Sequence, residues 1–181
     1  MCTAMTLRSA DGDNFFGRTM DFSYDIDPGL YVVPKNRMWR NVLNGNVFSD
    51  EYGFLAVGQE TDGILGFFDG VNENGFAAAA LYFPGFAQYG TCAGDPDKKP
   101  VASLDFLAYL LGRCGSVREL AGILPYLCVV GVPDPVTQIA APLHWIATDR
   151  SGDCVVVEPT ENGLETVSYT HLRAHETRED L

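Results

Sequence analysis

The order of apolar patterns along the chain restricts its fold more than any other feature of the sequence. Short apolar runs separated by turn residues fill the first 90 residues, two helical segments follow, and strand-like runs return afterwards. Strands that frame a single helical block are typical of an α+β domain, in which helices cover one side of a sheet. The sequence therefore predicts a layered α+β fold without internal repeats.

Turn signals predict where individual strands meet. The runs "TAMTL" and "NFFGRTM" flank "SADGD", which predicts a hairpin with Asp11 and Gly12 at its tip. A second tight turn is expected at "VNEN" with Gly75, between "GILGFFDG" and "GFAAAALYF". Further strands are predicted in "YVVP", "GFLAVG", "LHWIATD" and "CVVVEPT".

The helical block contains its own start and stop signals. One apolar face predicts a helix from residue 104 that ends near Gly115. Ser116 and Glu119 have the spacing of a capping box, which predicts the start of a second helix. Pro125 limits that helix. The first face consists of Leu104, Leu107, Ala108 and Leu111.

Composition excludes several classes of function. The chain has 181 residues, of which 46% are hydrophobic and 20% charged, as expected for one globular domain or part of a larger one. A net charge of −12 is incompatible with a basic nucleic-acid-binding face. No apolar run approaches the roughly 20 residues of a membrane helix, and no signal peptide is evident. We therefore expect a cytoplasmic protein without nucleic-acid or membrane partners.

The five cysteines suggest neither a zinc site nor a disulfide framework, because no C-x-x-C pair is present. Cys114, Cys128 and Cys154 are interpreted as small buried hydrophobic residues. A reducing cytoplasm fits this interpretation.

The last fifteen residues, "VSYTHLRAHETREDL", differ in character from the rest of the chain. His171 and His175 have the i, i+4 spacing of two metal ligands on a helix. We reject a metal site, because residues 167–177 read as a translated transposase adapter from a sequencing library. Residues 1–166 are therefore expected to form the N-terminal part of a domain, and residues 167–181 an artefactual tail.

The opening residues contain the most specific chemistry. Initiator methionine is normally removed before a small residue, which would give Cys2 both a thiol and a free α-amino group. Such an amine has a pKa of roughly 7.7–8.0, so it can take the thiol proton and later return a proton to a leaving group. Arg18 is a candidate for favouring the thiolate, and Asp21 for holding the terminal amine. The alternatives are a chance cysteine and an ordinary ion pair.

Five motifs occur in order along the chain: "MCTA", "FGRTMDF" at 16–22, "DGVNENGF" at 69–76, "PLHWIATD" at 142–149 and "VVVEPTENGL" at 155–164. With these motifs the sequence resembles the choloylglycine hydrolase family of N-terminal nucleophile hydrolases, which includes bile salt hydrolases and penicillin V acylases. The resemblance extends from residue 1 to about residue 166.

The resemblance implies an αββα sandwich, of which this chain would be the N-terminal portion, and hydrolysis of a linear non-peptide C–N amide in a small molecule. Cys2 would be the nucleophile with its own α-amine as base, and Arg18 and Asp21 match active-site positions. No metal or organic cofactor is implied. Many relatives are tetramers, so a homo-oligomer is expected for the full-length protein.

Position 82 divides the family, since bile salt hydrolases commonly have asparagine there and some penicillin V acylases have tyrosine. Tyr82 favours the acylase branch and could donate a hydrogen bond to an oxyanion; the alternative is an ordinary aromatic residue in a sheet. Met20 and Phe68 are expected to line the acyl pocket, with core packing as their alternative. His144 is interpreted as structural.

One departure from the family pattern affects activity. An oxyanion-hole asparagine and a further active-site arginine would lie beyond residue 166, where this chain has the adapter-like tail. The sequence therefore predicts an amide hydrolase for the parent gene and an inactive chain as it stands. The alternative is a non-catalytic binding or structural domain that retains the fold.

Overall fold

The structure, a computed structural model, describes residues 2–22, 24–92 and 96–168. The strands in these ranges are β1 Thr3–Arg8, β2 Asn14–Thr19, β3 Gly29–Val33, β4 Met38–Arg40, β5 Val47–Ser49, β6 Phe54–Thr61, β7 Ile64–Asn72, β8 Ala77–Tyr82, β9 Lys99–Ala102, β10 Leu127–Val130, β11 Leu143–Thr148, β12 Cys154–Thr160 and β13 Gly163–Ser168. The helices are α1 Phe106–Arg113, α2 Val117–Ile123 and a 3₁₀ turn, Leu124–Tyr126. This arrangement confirms the α+β prediction.

Seven strands form one antiparallel sheet in the order β13-β12-β11-β8-β7-β6-β3. Strand β8 lies at its centre and consists largely of alanine, whose small side chains let both faces of the strand be covered closely. Ala78 and Ala80 face a core that contains α1. Ala79 and Leu81 face a second cluster on the other side. The two faces of β8 therefore belong to different layers.

Helix α1 forms the layer on one face of the sheet. Its residues from Phe106 to Gly112 are all buried, so it is covered on all sides rather than along the single predicted face. The reason is that two small two-stranded sheets, β4–β5 and β9–β10, cover the side of α1 that faces away from the large sheet. The ring of Phe48 in β5 packs 5.2 Å from that of Tyr109 in α1. The helix begins at Phe106 and not at Leu104, because Asp105 is its N-cap.

Local signals correctly predicted the start of α2. The Glu119 backbone N–H donates to the Ser116 hydroxyl at 3.2 Å, as the capping box requires. The Glu119 carboxylate accepts a hydrogen bond from the backbone N–H of Gly115 at 2.7 Å. In a standard capping box this carboxylate would accept from the N-cap residue, which is Ser116. Pro125 lies in the 3₁₀ turn that ends this segment.

The β1–β2 hairpin covers the opposite face of the sheet, and its tip is the predicted one. Thr3 pairs with Thr19 and Ala4 with Arg18. Ala4 is fully buried against the side chains of the second cluster. Because the hairpin places residues from the first and second motifs side by side, it determines where the chemistry at the N-terminus lies.

The interpretation of Cys128 as a free buried thiol is wrong, because this residue forms a disulfide with Cys92, 36 positions earlier. Strand β10 runs beside the segment that follows β8, which brings together two cysteines that are far apart in sequence. Cys114 and Cys154 are buried free thiols, as predicted. Disulfides are rare in the cytosol, and a cytoplasmic location stays a prediction.

Most of the adapter-like tail lies outside the described residues. Val167 and Ser168 are described, and they pair with Val156 and Val155 as the end of β13. The boundary predicted after residue 166 therefore falls inside a strand. The adapter origin of residues 167–181 stays a prediction. In the described ranges, no helix is long and apolar enough to cross a membrane.

Candidate active site

The thiol of Cys2 lies at the foot of the hairpin. Cys2 is half-buried and packs against the second cluster, whose members from the sheet include Ala79 and Leu81. Its Sγ lies 3.9 Å from the main-chain carbonyl oxygen of Asp21, within reach of a weak S–H hydrogen bond. The thiol is thus held by an apolar wall on one side and a carbonyl on the other, while part of it stays accessible.

The register of the hairpin places Arg18 on the same face as the thiol. Ala4 and Arg18 are directly opposite each other, and Cys2 is two residues before Ala4, so all three side chains point to one face. The backbone N–H of Thr3 donates to the Thr19 hydroxyl at 3.1 Å and ties the two strand ends together. The hairpin thus aligns a thiol and a guanidinium towards β8.

The Arg18 guanidinium is buried between the hairpin and the sheet, with 8% of its side chain exposed. Its Nη2 donates to the carbonyl oxygen of Ala80 at 2.8 Å, and its Nη1 lies 3.3 Å from the Asp69 carboxylate. Nε and Nη1 make no hydrogen bond to any described residue. Because a buried N–H without a partner is costly, Nε is the donor still available at the site, whereas Nη1 already faces the Asp69 carboxylate.

Asp21 supplies the carbonyl oxygen beside the thiol. It lies two residues after β2 and is exposed. The structure therefore brings three of the four expected catalytic residues, Cys2, Arg18 and Asp21, to one end of the hairpin.

Tyr82 is the last residue of β8 and lies on the exposed rim. Its side chain is 49% exposed. Burial raises the pKa of Tyr24, and the charges of Asp134 and Tyr82 raise it further. Leu81, the preceding residue, is the one that faces the cluster with Cys2. Because side chains alternate along a strand, the Tyr82 side chain is directed away from that cluster, and Tyr82 is the expected catalytic residue that the structure does not group with Cys2.

Phe68 and Met20 belong to neither of the two buried clusters, and their role in the acyl pocket stays a prediction. The ring of Phe68 packs 5.3 Å from that of Phe22, which in turn lies 5.5 Å from Tyr24. Met20 lines an open groove of about 700 Å³ between β2 and the outer face of β6 and β7. Arg18 and Asp69 line the same groove. Its volume is in the range of small-molecule sites.

His144 is buried on β11, directly opposite Leu81 of β8. Its ring stacks 4.6 Å from that of Phe83. Its Nδ1 lies 3.9 Å from the Glu158 carboxylate. These contacts fix the imidazole within the sheet and agree with a structural role. Among the described residues, no group of histidine, cysteine and acidic side chains is arranged to hold a metal ion.

Sequence reasoning gave Asp69 no role, although the residue opens one of the quoted motifs. It was missed because its position depends on a β-bulge between β6 and β7: Val57 pairs with Asp69, whereas Gly58 pairs with Phe67. Phe68 is the extra residue. No local signal in the sequence marks this irregularity.

Comparison with known proteins agrees with this architecture. Residues 2–171 match the model of the choloylglycine hydrolase family of linear amide C–N hydrolases, and the chain belongs to that family. The bile salt hydrolase/transferase of Clostridium perfringens (strain 13 / Type A) is 31% identical over 164 residues, which make up 91% of this chain and 50% of that protein.

Solved structures show the same fold. Two structures of the conjugated bile acid hydrolase from Clostridium perfringens, the mutant C2A and the variant R18L, match with TM-scores of 0.84 and 0.83 at 29% identity, over 94% and 93% of this chain. Penicillin V acylase from Agrobacterium tumefaciens matches with a TM-score of 0.73 at 19% identity, over 99% of this chain and 54% of that chain. The chain spans about half the length of these relatives.

Proposed function

We propose that this chain is part of an enzyme that hydrolyses a linear, non-peptide C–N amide bond in a small molecule, with Cys2 as the nucleophile after removal of Met1. The observation that carries the proposal is the position of the Cys2 thiol, half-buried and 3.9 Å from the Asp21 carbonyl, on the hairpin face that also presents the buried Arg18. The C2A and R18L variants of the solved relative concern the same residue types at the same positions.

The reaction follows from groups on one residue. The α-amine of Cys2 takes the thiol proton, and the thiolate attacks the amide carbon to form a C–S bond and an oxyanion. Collapse of the oxyanion breaks the C–N bond, and the ammonium gives its proton to the leaving amine. Water, deprotonated by the same amine, then attacks the thioester, and cleavage of the C–S bond releases the acid and restores the thiol.

Other residues have supporting roles in this proposal. The Arg18 guanidinium favours the thiolate by its charge, and Asp21 holds the terminal amine. The Tyr82 hydroxyl donates to the oxyanion. Because strand alternation directs the exposed Tyr82 side chain away from the Cys2 cluster, this last role requires its ring to turn towards the substrate. No metal or organic cofactor takes part.

The substrate is proposed to be a conjugated bile salt or a penicillin V-type N-acyl amide. Apolar side chains around the thiol suit the bulky acyl group of either compound. Phe22, Tyr24 and Phe68 form an aromatic group, and Met20 lines the groove that Arg18 also lines. The identities to relatives named as bile salt hydrolases favour the bile salt.

We further propose that the full-length protein is a cytoplasmic homo-oligomer, a tetramer by family resemblance. We also propose that this chain alone is inactive. Exposed apolar side chains on the outer face of β3, β6 and β7 support the inactivity of this chain alone, since a complete domain normally covers such a face. These side chains are Leu30, Val32, Leu55 and Val71. The net charge of −12 supports the absence of nucleic-acid partners.

The test is an assay of the full-length gene product with glycocholate, taurocholate and penicillin V. Hydrolysis that disappears in Cys2→Ala and persists in Cys154→Ala would establish the nucleophile, because Cys154 is a second free thiol in the same cluster. Hydrolysis retained in Cys2→Ala would contradict the mechanism. No hydrolysis, together with an unreactive Cys2, would favour the alternative of a non-catalytic binding or structural domain.

A further inference from the structure

The Arg18 guanidinium has a single charged neighbour among the described residues, Asp69 on β7. The carboxylate is 20% exposed and lies 3.3 Å from Nη1. A buried guanidinium requires a counter-ion, because removing a charge from water is costly unless the charge is paired. Asp69 therefore contributes to holding the Arg18 head group under the hairpin.

The bulge in β7 decides which way the Asp69 side chain faces. Before the bulge, Phe67 faces the core that contains α1. After it, Asn72 faces α1, since its side chain donates to the carbonyl oxygen of Leu111. Phe67 and Asn72 are five positions apart, so side chains that should lie on opposite faces lie on the same one. The extra residue, Phe68, thus moves Asp69 to the face of the hairpin.

The pairing of β7 with β8 places Asp69 on the sheet face whose cluster Cys2 packs against. Asp69 is directly opposite Ala79, whose methyl group belongs to the cluster that Cys2 packs against. Arg18 reaches the neighbouring residue of the same strand, at the carbonyl oxygen of Ala80. The guanidinium and the carboxylate therefore lie at two consecutive residues of β8, and Cys2 packs against the cluster that contains one of them, Ala79.

We infer that Asp69 is a positioning residue for the reaction: it holds the Arg18 guanidinium beside β8, in the place from which the guanidinium favours the Cys2 thiolate. The inference rests on the proposed function, because it assumes that Arg18 acts on Cys2. The observed charged contact of Asp69 is with Arg18. Asp69 is a carboxylate that acts through its partner.

The direction in which the rate of Cys2 alkylation changes when Asp69 loses its charge separates a positioning role from a direct electrostatic role. Loss of a nearby negative charge, with nothing else moved, favours the thiolate and speeds its alkylation. Loss of the group that holds Arg18 has the opposite result, because the guanidinium moves away and the thiolate loses its stabilising charge. A purely structural role for Asp69 would change the stability of the fold and leave the pH dependence of alkylation unchanged.

The experiment measures the rate of Cys2 alkylation by iodoacetamide between pH 5 and 9, with the modified residue identified by peptide mass spectrometry. In the chain itself we expect Cys2 to react faster at pH 7 than an ordinary thiol. In Asp69→Asn we expect a rate about three- to tenfold lower at pH 7 and a pH profile shifted upward by up to about one unit. The matched control is Glu60→Gln, an exposed carboxylate on the adjacent strand β6, with an unchanged profile.

Three outcomes are informative. An ordinary rate for Cys2 in the unaltered chain would contradict the proposed function and this inference together. A fast Cys2 with an unchanged or faster rate in Asp69→Asn would overturn the inference alone. Asp69→Glu keeps the charge and should recover part of the rate. If circular dichroism shows that Asp69→Asn is unfolded, Asp69→Glu decides: its longer side chain displaces Arg18 and should slow alkylation, and an unchanged rate would overturn the inference.

Discussion

The side-chain amide of Asn72 donates a hydrogen bond to the main-chain carbonyl oxygen of Cys114 at 2.7 Å, and so ties the turn after β7 to the end of α1. The same amide donates to Leu111, and its oxygen accepts from the backbone N–H groups of Asn74 and Phe76. One buried side chain thus joins the central sheet to the helical layer and closes the β7–β8 turn.

Replacement of Asn72 by alanine leaves two buried carbonyls and two backbone N–H groups without their partner. We expect a loss of about 3–4 kcal/mol in the free energy of unfolding, since each unsatisfied buried group costs about 1–3 kcal/mol and the local structure relaxes in part. Urea denaturation measures the loss. Asn162→Ala, at an exposed turn, should stay within about 0.5 kcal/mol of the parent; equal stability of the two variants would contradict this account.

Gly112 permits close packing of α1 on a buried carboxylate. A Cβ at this position would lie 2.8 Å from the Asp50 Cγ, and Asp50 is fixed by hydrogen bonds from Trp39 Nε1 at 2.8 Å and Arg37 Nε at 3.0 Å. Gly112→Ala should therefore destabilise the fold by about 2–4 kcal/mol. Gly122→Ala in α2 has open space at its Cβ and should gain up to about 1 kcal/mol. A gain in both variants would be inconsistent with this packing.

The Cys92–Cys128 disulfide closes a loop of 36 residues. Cys92→Ser should lower the free energy of unfolding by about 3–4 kcal/mol in the chain-entropy account. The control is reductant, which should abolish the difference between variant and parent. Thiol titration of the unfolded, unreduced chain should find three free thiols, those of Cys2, Cys114 and Cys154. Five free thiols would show that the bond does not form.

Burial raises the pKa of Asp105 from 3.8 to about 6, against the hydrogen bond from the Val42 backbone N–H and the charge of Arg37, which lower it. In the folded state the carboxyl therefore keeps its proton to a higher pH than in the unfolded chain. Its contribution to stability is complete below about pH 4 and is lost as the pH rises through about 6, a change of about 2–3 kcal/mol.

Asp105→Asn cannot ionise, but its amide oxygen can still accept from Val42. We expect the stability of Asp105→Asn to fall less than that of the parent between pH 4 and 7. Denaturant titrations at each pH measure the difference. Asp11→Asn, at the exposed hairpin tip, is the control and should follow the parent. Parallel curves for parent and Asp105→Asn would show that the carboxyl has an ordinary pKa.

The elements with local signals could be predicted from the sequence. The hairpin tip at Gly12 and the capping box at Ser116 depend on residues within a few positions of each other, and both are present in the structure. The pattern of the first helix was less informative, because a single apolar face does not reveal that further strands cover the other side. Burial of Phe106 through Gly112 depends on residues distant in sequence.

The candidate site could be predicted only in part. Cys2, Arg18 and Asp21 lie within one hairpin, so their proximity follows from a local turn. Asp69 enters through a bulge in another strand, and strict alternation would have placed its side chain on the opposite face. The partner of Cys128 was hidden for a similar reason, since a disulfide between distant residues depends on how the strands are arranged.

The most direct test of the account is the intact mass of the full-length protein before and during incubation with an amide substrate. We predict a mass lower by one methionyl residue, which shows that the Cys2 amine is free, and a transient increase equal to the acyl group, located on Cys2 by peptide mapping. A protein that hydrolyses the substrate while it retains Met1, or that has its acyl group on another residue, would contradict the central claim.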